Sequence, residues 1–134
     1  MRLVLRLIAG AAIVVVSFAT TNLLLDYYYP RSVNEIRIRN AKAIMAALEK
    51  HRKAKGAYPV LADGLVVELS GPLVKGGFIN AFPSDPVGSE FIRYVSYDGR
   101  AYGMLVGFEG GAPCLIEMGI SKSGFWGQPP TCPM

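Results

Sequence analysis

Phe91–Phe108, FIRYVSYDGRAYGMLVGF, is the stretch on which the fold turns. Two runs, Phe91–Tyr97 and Arg100–Phe108, flank Asp98-Gly99. Asp-Gly between β-prone runs is the signature of a type I′ hairpin, because both central positions take positive φ. Aromatic and β-branched residues fill both arms, among them Phe91, Ile92, Tyr94, Val95, Tyr97, Tyr102, Val106 and Phe108. These residue types pack well on a pleated surface. The stretch therefore predicts an antiparallel ribbon.

Downstream, Gly110-Gly111-Ala112-Pro113 makes a turn and Cys114–Ile120 (CLIEMGI) reads as a third strand. Ser121–Met134 is a tail rich in Gly and Pro, with no regular structure of its own. Cys114 and Cys132 are the only cysteines. An even number in a small exported domain reads as one disulfide, here pinning the tail to the domain. Two free thiols in a cytosolic protein is the competing reading. Phe125 and Trp126 form an aromatic pair in the same tail. They are a candidate partner contact, or else they fold back to cover the sheet edge.

Upstream, Pro83-Ser84-Asp85-Pro86 is turn chemistry. Leu65–Leu69 (LVVEL) fits a short strand or a helical turn. Before it, a helix is expected from about Val33 to Lys55. Val33, Ile36, Ala41, Ile44, Ala47 and Leu48 recur at helical spacing, while Arg37, Lys42, Glu49, Lys50 and Lys53 fall largely off that stripe. The stripe is narrow and alanine-rich, so something packs closely on it. Ser32-Val33-Asn34-Glu35 has the form of a capping box. Pro30 marks a break before it, or a kink in a continuous helix. Gly56 is a stop just past the last turn. The ribbon and the helix together predict an α+β domain, the helix lying on a small antiparallel sheet of three or four strands.

Leu3–Leu25, LVLRLIAGAAIVVVSFATTNLLL, is almost unbroken in its apolar character. About 20 apolar residues cross a bilayer as a helix, and Tyr27, Tyr28 and Tyr29 follow where an interfacial belt sits. Residues 1–29 are therefore expected to be a transmembrane anchor, in contact with lipid through residues 3–25. The alternative is a signal peptide: Arg2 and Arg6, an apolar stretch Leu7–Val16, and Ser17-Phe18-Ala19 as a small-x-small cleavage site. Thr20, Thr21 and Asn22 make a polar dip that favours cutting, and Leu23, Leu24 and Leu25 resume the run. Residues 30–134 are the exported domain.

Such a domain, about 105 residues, buries only about two-thirds of its unfolded surface, and a cross-link helps it. Of the fifteen Gly and nine Pro, all but Gly10 and Pro30 lie after residue 55, which points to many turns. The net charge of +4 hides an asymmetry: residues 31–55 carry +6 and residues 56–134 carry −3. The basic stretch suits anionic headgroups or an acidic partner, or is a solvated helix face. It lacks aromatic interleaving, so no nucleic acid is expected.

Nothing in the pattern assembles a catalyst, and no cofactor or metal site is expected. His51, the only histidine, lies among Lys50, Arg52 and Lys53 without a positioned partner. The cysteine spacing is neither Cys-x-x-Cys nor a zinc pattern. Asp85, Glu109 and Glu117 are imaginable cation ligands, but no alternating acidic loop supports them. Gly107, Gly110 and Gly111 lack the helix and Lys of a phosphate loop.

In combination, these features resemble the type IV pilin and type II secretion pseudopilin group. Gly56-Ala57-Tyr58-Pro59 follows the helix directly. Asp85-Pro86-Val87-Gly88 resembles the Asp-Pro-Trp-Gly turn of the major pseudopilins. Phe91-x-x-Tyr94, then Asp98-Gly99-x-x-Tyr102, follows that group's strand-turn-strand rhythm. The resemblance covers Ile36 to Phe108. It implies a membrane-spanning helix that continues into an amphipathic one on a small sheet. It also implies a non-enzymatic subunit of a bacterial envelope, secretion or pilus-type assembly, with other subunits as partners and a homo-oligomer left open. Departures are specific. Gly10 precedes Ala11-Ala12-Ile13-Val14-Val15 in place of a processing site, no acidic residue precedes Asp26, Arg6 interrupts the run, and no Asp follows Asp98 to bind calcium. A pilin-like accessory subunit, in the inner membrane with its C-terminal domain periplasmic, fits better than a major filament subunit. The alternative is a small secreted or periplasmic binding module cut near Ala19.

Overall fold

The computed structural model describes residues 2–88, 92–119, 126 and 129–133. Within these, it does not describe the side chains of residues 2–16, 18, 19, 22, 23, 26–28, 30, 31, 63 and 117. One helix, α1, runs Arg2–Lys55, and four strands follow: β1 Leu61–Leu65, β2 Ile92–Ser96, β3 Tyr102–Val106 and β4 Cys114–Met118. The chain divides into two compact units, Met1–Ser32 and Val33–Met134.

In the first unit three described hydroxyls bond back onto the helix. Thr20 Oγ1 and Thr21 Oγ1 donate to the Ser17 carbonyl at 3.0 and 2.8 Å, and Ser32 Oγ donates to the Tyr29 carbonyl at 2.9 Å. Such back-bonding is how hydroxyls are housed inside a helix. Leu24, Leu25 and Tyr29 are more than half exposed. Among the described residues no helix is long and apolar enough to cross a membrane. Most side chains of the expected span, residues 3–25, lie outside the described set.

The expected break at Pro30 does not occur, and α1 is helical straight through it. Ser32 is accordingly no N-cap: it sits inside the helix, bonded backward to Tyr29. A capping box needs a helix start, and here the helix is already under way. The end is as expected. Gly56, at φ +80°, closes α1 with its N–H on the Arg52 carbonyl at 2.8 Å, and Arg52, Lys53 and Lys55 occupy the last turn, where cations suit the dipole.

In the second unit α1 buries Val33, Arg37, Ala41, Ile44, Ala47 and Leu48. The sheet is a simple antiparallel meander in the order β1-β2-β3-β4. Registers Ile92↔Val106, Tyr94↔Met104, Met104↔Ile116 and Val106↔Cys114 put one row of side chains on the helix face. With Ile44, Leu48 and Leu73 they form the core, and each large apolar side chain buried there contributes on the order of 2 kcal/mol. The α+β arrangement, helix on small antiparallel sheet, is thus present.

One local expectation changes and two are made more specific. The ribbon is not a type I′ hairpin. β2 and β3 are joined through Tyr97–Ala101, and Gly99 (φ +73°) takes the left-handed conformation while Asp98 does not. Asp98 Oδ1 instead accepts the Arg100 N–H at 2.9 Å, and the Gly99 carbonyl accepts the Tyr58 N–H at 2.7 Å. Docking on the 57–58 backbone selects the longer loop. Leu65–Leu69 is a 3₁₀ turn from Val66 onward, entered from β1. β1 itself, LADGL, carries no β pattern and is a strand because it pairs with β2 around a bulge near Gly64. Finally, the tail is ordered where it meets β4. Thr131 bridges to Leu115 in parallel, and the disulfide Cys114–Cys132 closes beside it.

Candidate interaction site on helix α1

Asn34, Arg37 and Asn40 recur every three residues along one side of α1, and all three bond to loops of the sheet layer. Asn34 exchanges two hydrogen bonds with the Glu109 backbone: its Nδ2 donates to the carbonyl at 3.2 Å, and its Oδ1 accepts the N–H at 2.9 Å. Asn40 Nδ2 donates to the Ser84 carbonyl at 2.9 Å. Between them, Arg37 is wholly buried. Its Nε donates to Asp85 Oδ2 at 2.7 Å and its Nη2 to Asp85 Oδ1 at 3.2 Å, the bidentate fork that suits a guanidinium to a carboxylate. Nη1 donates to the Gly107 carbonyl at 3.2 Å, and Nη2 also reaches Glu109 Oε1 at 3.3 Å. Burying a charge is costly unless it is paired and hydrogen-bonded, and this one is both.

Asp85 in turn organises its own loop. Its Oδ1 accepts the Val87 N–H at 2.9 Å, and its carbonyl accepts the Gly88 N–H at 3.2 Å. Gly88, at φ +74°, completes the turn. Of the three imagined cation ligands, Asp85 and Glu109 therefore do converge on a cation, and the chain supplies it as Arg37. The Glu117 side chain lies outside the described residues. Among the described residues no three His, Cys, Asp or Glu side chains gather as a metal site.

Beside this clamp a groove of about 270 Å³ opens between α1, the 3₁₀ turn and the 82–88 loop. Ile44, Val66, Phe82 and Pro83 make its apolar floor, and Asn40 and Asp85 stand at its polar side. Residues 89–91, which follow Gly88 at its margin, lie outside the described residues. An apolar hollow with a few fixed polar groups is suited to binding.

A second polar cluster marks the C-terminal end of α1. The Tyr58 hydroxyl donates to Glu49 Oε1 at 2.5 Å, Arg52 Nε lies 3.5 Å from Glu49 Oε2, and the Arg52 guanidinium sits 5.4 Å from the Tyr58 ring centre. Tyr58 meets Tyr102 edge-on at 4.8 Å, and Tyr102 stacks on Tyr94 at 5.7 Å. Burial, then the hydrogen bond to Glu49 and its charge, push the Tyr58 hydroxyl up to about 12 against the opposing pull of Arg52. Tyr94 and Tyr102 are pushed up further, mainly by burial. The Tyr102 hydroxyl is buried without a hydrogen-bond partner among the described residues.

His51 is half-buried. Its Nδ1 lies 2.9 Å from the Ala57 carbonyl, and its ring meets Phe78 edge-on at 5.0 Å. A carbonyl only accepts, so Nδ1 carries the proton, and the residue staples the helix end to the following loop. Trp126 is half-buried against the sheet face opposite the helix. A Cβ on Gly103 would stand 3.5 Å from its ring and 3.3 Å from Val95 Cγ1. Val95 and Leu115, on that same face by register, are 0% and 5% exposed. Phe125 lies outside the described residues. Arg37 is the residue that sequence reasoning missed. It falls four residues from both Val33 and Ala41, which is on-stripe, and only its charge set it aside.

No protein-family model, no curated protein and no solved structure matches this chain.

Proposed function

We propose that this chain is a non-enzymatic, pilin-like subunit of a bacterial cell-envelope assembly of the secretion or pilus type. It is anchored in the inner membrane through residues 3–25, and its domain from residue 30 onward is periplasmic. It works by docking other subunits, not by catalysis. The observation that carries the anchor is the handling of the polar dip: the hydroxyls of Thr20 and Thr21 are both turned back onto the Ser17 carbonyl. Lipid offers no water to pair a polar group, and a hydroxyl turned back on its own helix is already paired. The exposed Leu24 and Leu25 gain from the same environment. A disulfide in so small a domain fits an oxidising compartment. The clamp of Arg37, Asp85 and Glu109 supports the docking role, because it ties the helix to the groove-lining loop. The competing reading, a free periplasmic or secreted binding module, rests on Ser17-Phe18-Ala19 as a cleavage site.

Membrane fractionation with thiol labelling from the periplasmic side, before and after reduction, tests the proposal. The expected result is membrane-bound chain whose cysteines label only once reduced. A mature polypeptide that starts near Thr20 and floats free of vesicles overturns the anchored reading in favour of the secreted one.

A further inference from the structure

The tail lies along the outer edge of β4. The Leu115 N–H donates to the Pro130 carbonyl at 2.8 Å, and the Cys132 N–H donates to the Leu115 carbonyl at 3.1 Å, with Thr131 bridging to Leu115. β4 is the last strand of the sheet, and the outward N–H and C=O of such a strand are a template for another chain. Here the chain answers them itself. Pro129, Pro130 and Pro133 carry no N–H, so the segment occupies the edge without extending the ladder. Leu115 on the strand and Cys132 on the tail are 5% and 4% exposed. The disulfide joins the same two backbones across a separation of 18 residues.

We propose that the β4 edge is a strand-accepting site that oxidation closes. When the disulfide is absent, its occupant is the Pro129–Pro133 segment of a second copy of this chain. The segment already fits that edge, so exchange repeats both hydrogen bonds in trans, the usual low-cost route to a dimer. What differs is chain entropy. The cross-link holds the segment in cis, and without it closing the loop opposes the cis arrangement, so exchange gains with concentration. Opening requires a dithiol reductant. It delivers two electrons and two protons, the S–S bond breaks, Cys114 and Cys132 become thiols, and the reductant leaves as its own disulfide. Cys114 and Cys132 are 1% and 4% exposed, so attack waits for the tail to lift. The site therefore stays shut once oxidised and is open in chain that has not yet been oxidised.

The test uses the full chain in detergent, with dithiothreitol as the reductant. Reduction is expected to speed exchange of the Leu115 amide by about 100-fold in dilute chain, the loop-closure effect of such a bridge, and to leave it less protected than the Met104 amide in β3. Raising the concentration should then produce dimers and restore Leu115 protection. Separately, C114S and C132S chains are mixed under glutathione disulfide. The expected product is a heterodimer linked from Cys132 of one chain to Cys114 of the other, in excess of the linked dimers of either variant alone. A reduced chain that stays monomeric with Leu115 protected overturns the proposal. So does a mixture that links no better than its parts, and so does a Met104 amide that exchanges as fast as Leu115, which is global unfolding and not release of an edge.

Discussion

Arg37 and Arg52 stand on the same helix, and each meets a glutamate or aspartate, yet the two ends of the docked helix are held in different ways. Arg37 is 0% exposed against Asp85 at 12%, and it also reaches Glu109 and the Gly107 carbonyl. Arg52 is 50% exposed against Glu49 at 31%. At the first end the guanidinium has left water and depends wholly on the protein for its hydrogen bonds. At the second, water replaces whatever the protein withdraws, and the firm contact is the Tyr58 hydroxyl on Glu49. The difference teaches that burial, not the presence of opposite charges, sets what an ion pair does for a fold.

The sharpest way to break the comparison is Arg37→Met, measured by denaturant unfolding. It strands Asp85 in a nearly closed site and is expected to cost about 3–5 kcal/mol. Arg37→Met combined with Asp85→Leu should recover part of that loss, because the stranded charge is gone. A cost for Arg37→Met as low as that of an exposed pair, below about 1 kcal/mol, would mean the clamp is not what holds this end.

Tyr58→Phe tests the other end at the next level of effect, about 1 kcal/mol for a hydrogen bond to a partly exposed carboxylate. It also carries a pH signature. In the unfolded chain tyrosine loses its proton near 10, while folded Tyr58 holds its proton up to about 12. Above pH 10 the unfolded state therefore binds fewer protons, and this contribution to stability, complete below 10, is lost as the pH rises through 12. Tyr94 and Tyr102 act in the same direction. Stability followed against pH should fall over that window, and less steeply in Tyr58→Phe.

The smallest effect belongs to Arg52→Ala, expected to change unfolding stability by less than about 0.5 kcal/mol. If it approached the loss from Arg37→Met, the contrast between the ends would collapse.

Much of this architecture is legible in the order of the residues. Of the expected stripe, Val33, Ala41, Ile44, Ala47 and Leu48 are buried as their spacing requires, while Ile36 is only half-buried. The strands at Ile92–Ser96, Tyr102–Val106 and Cys114–Met118 fall inside the runs that predict them, and Gly56 ends the helix. The clamp is only half legible. Asp85 and Glu109 stand out as carboxylates, but nothing local joins them to a residue 48 or 72 positions away. β1 is hidden because LADGL owes its strand geometry to β2. The Asp98-Gly99 turn departs from the type its residues suggest because the Gly99 carbonyl is engaged by Tyr58, a contact made outside the hairpin.

By itself, then, the sequence determined what depends on neighbours along the chain: helical and strand periodicity, the left-handed stop at Gly56, and the density of turns. Those forces act over a few residues, and their signal survives in spacing. Tertiary structure alone decided the burial of Arg37, the pairing of β1 and the course of the tail along β4. Each of these needs partners distant in sequence. Their free energy appears only once water has been excluded between surfaces that the fold brings together.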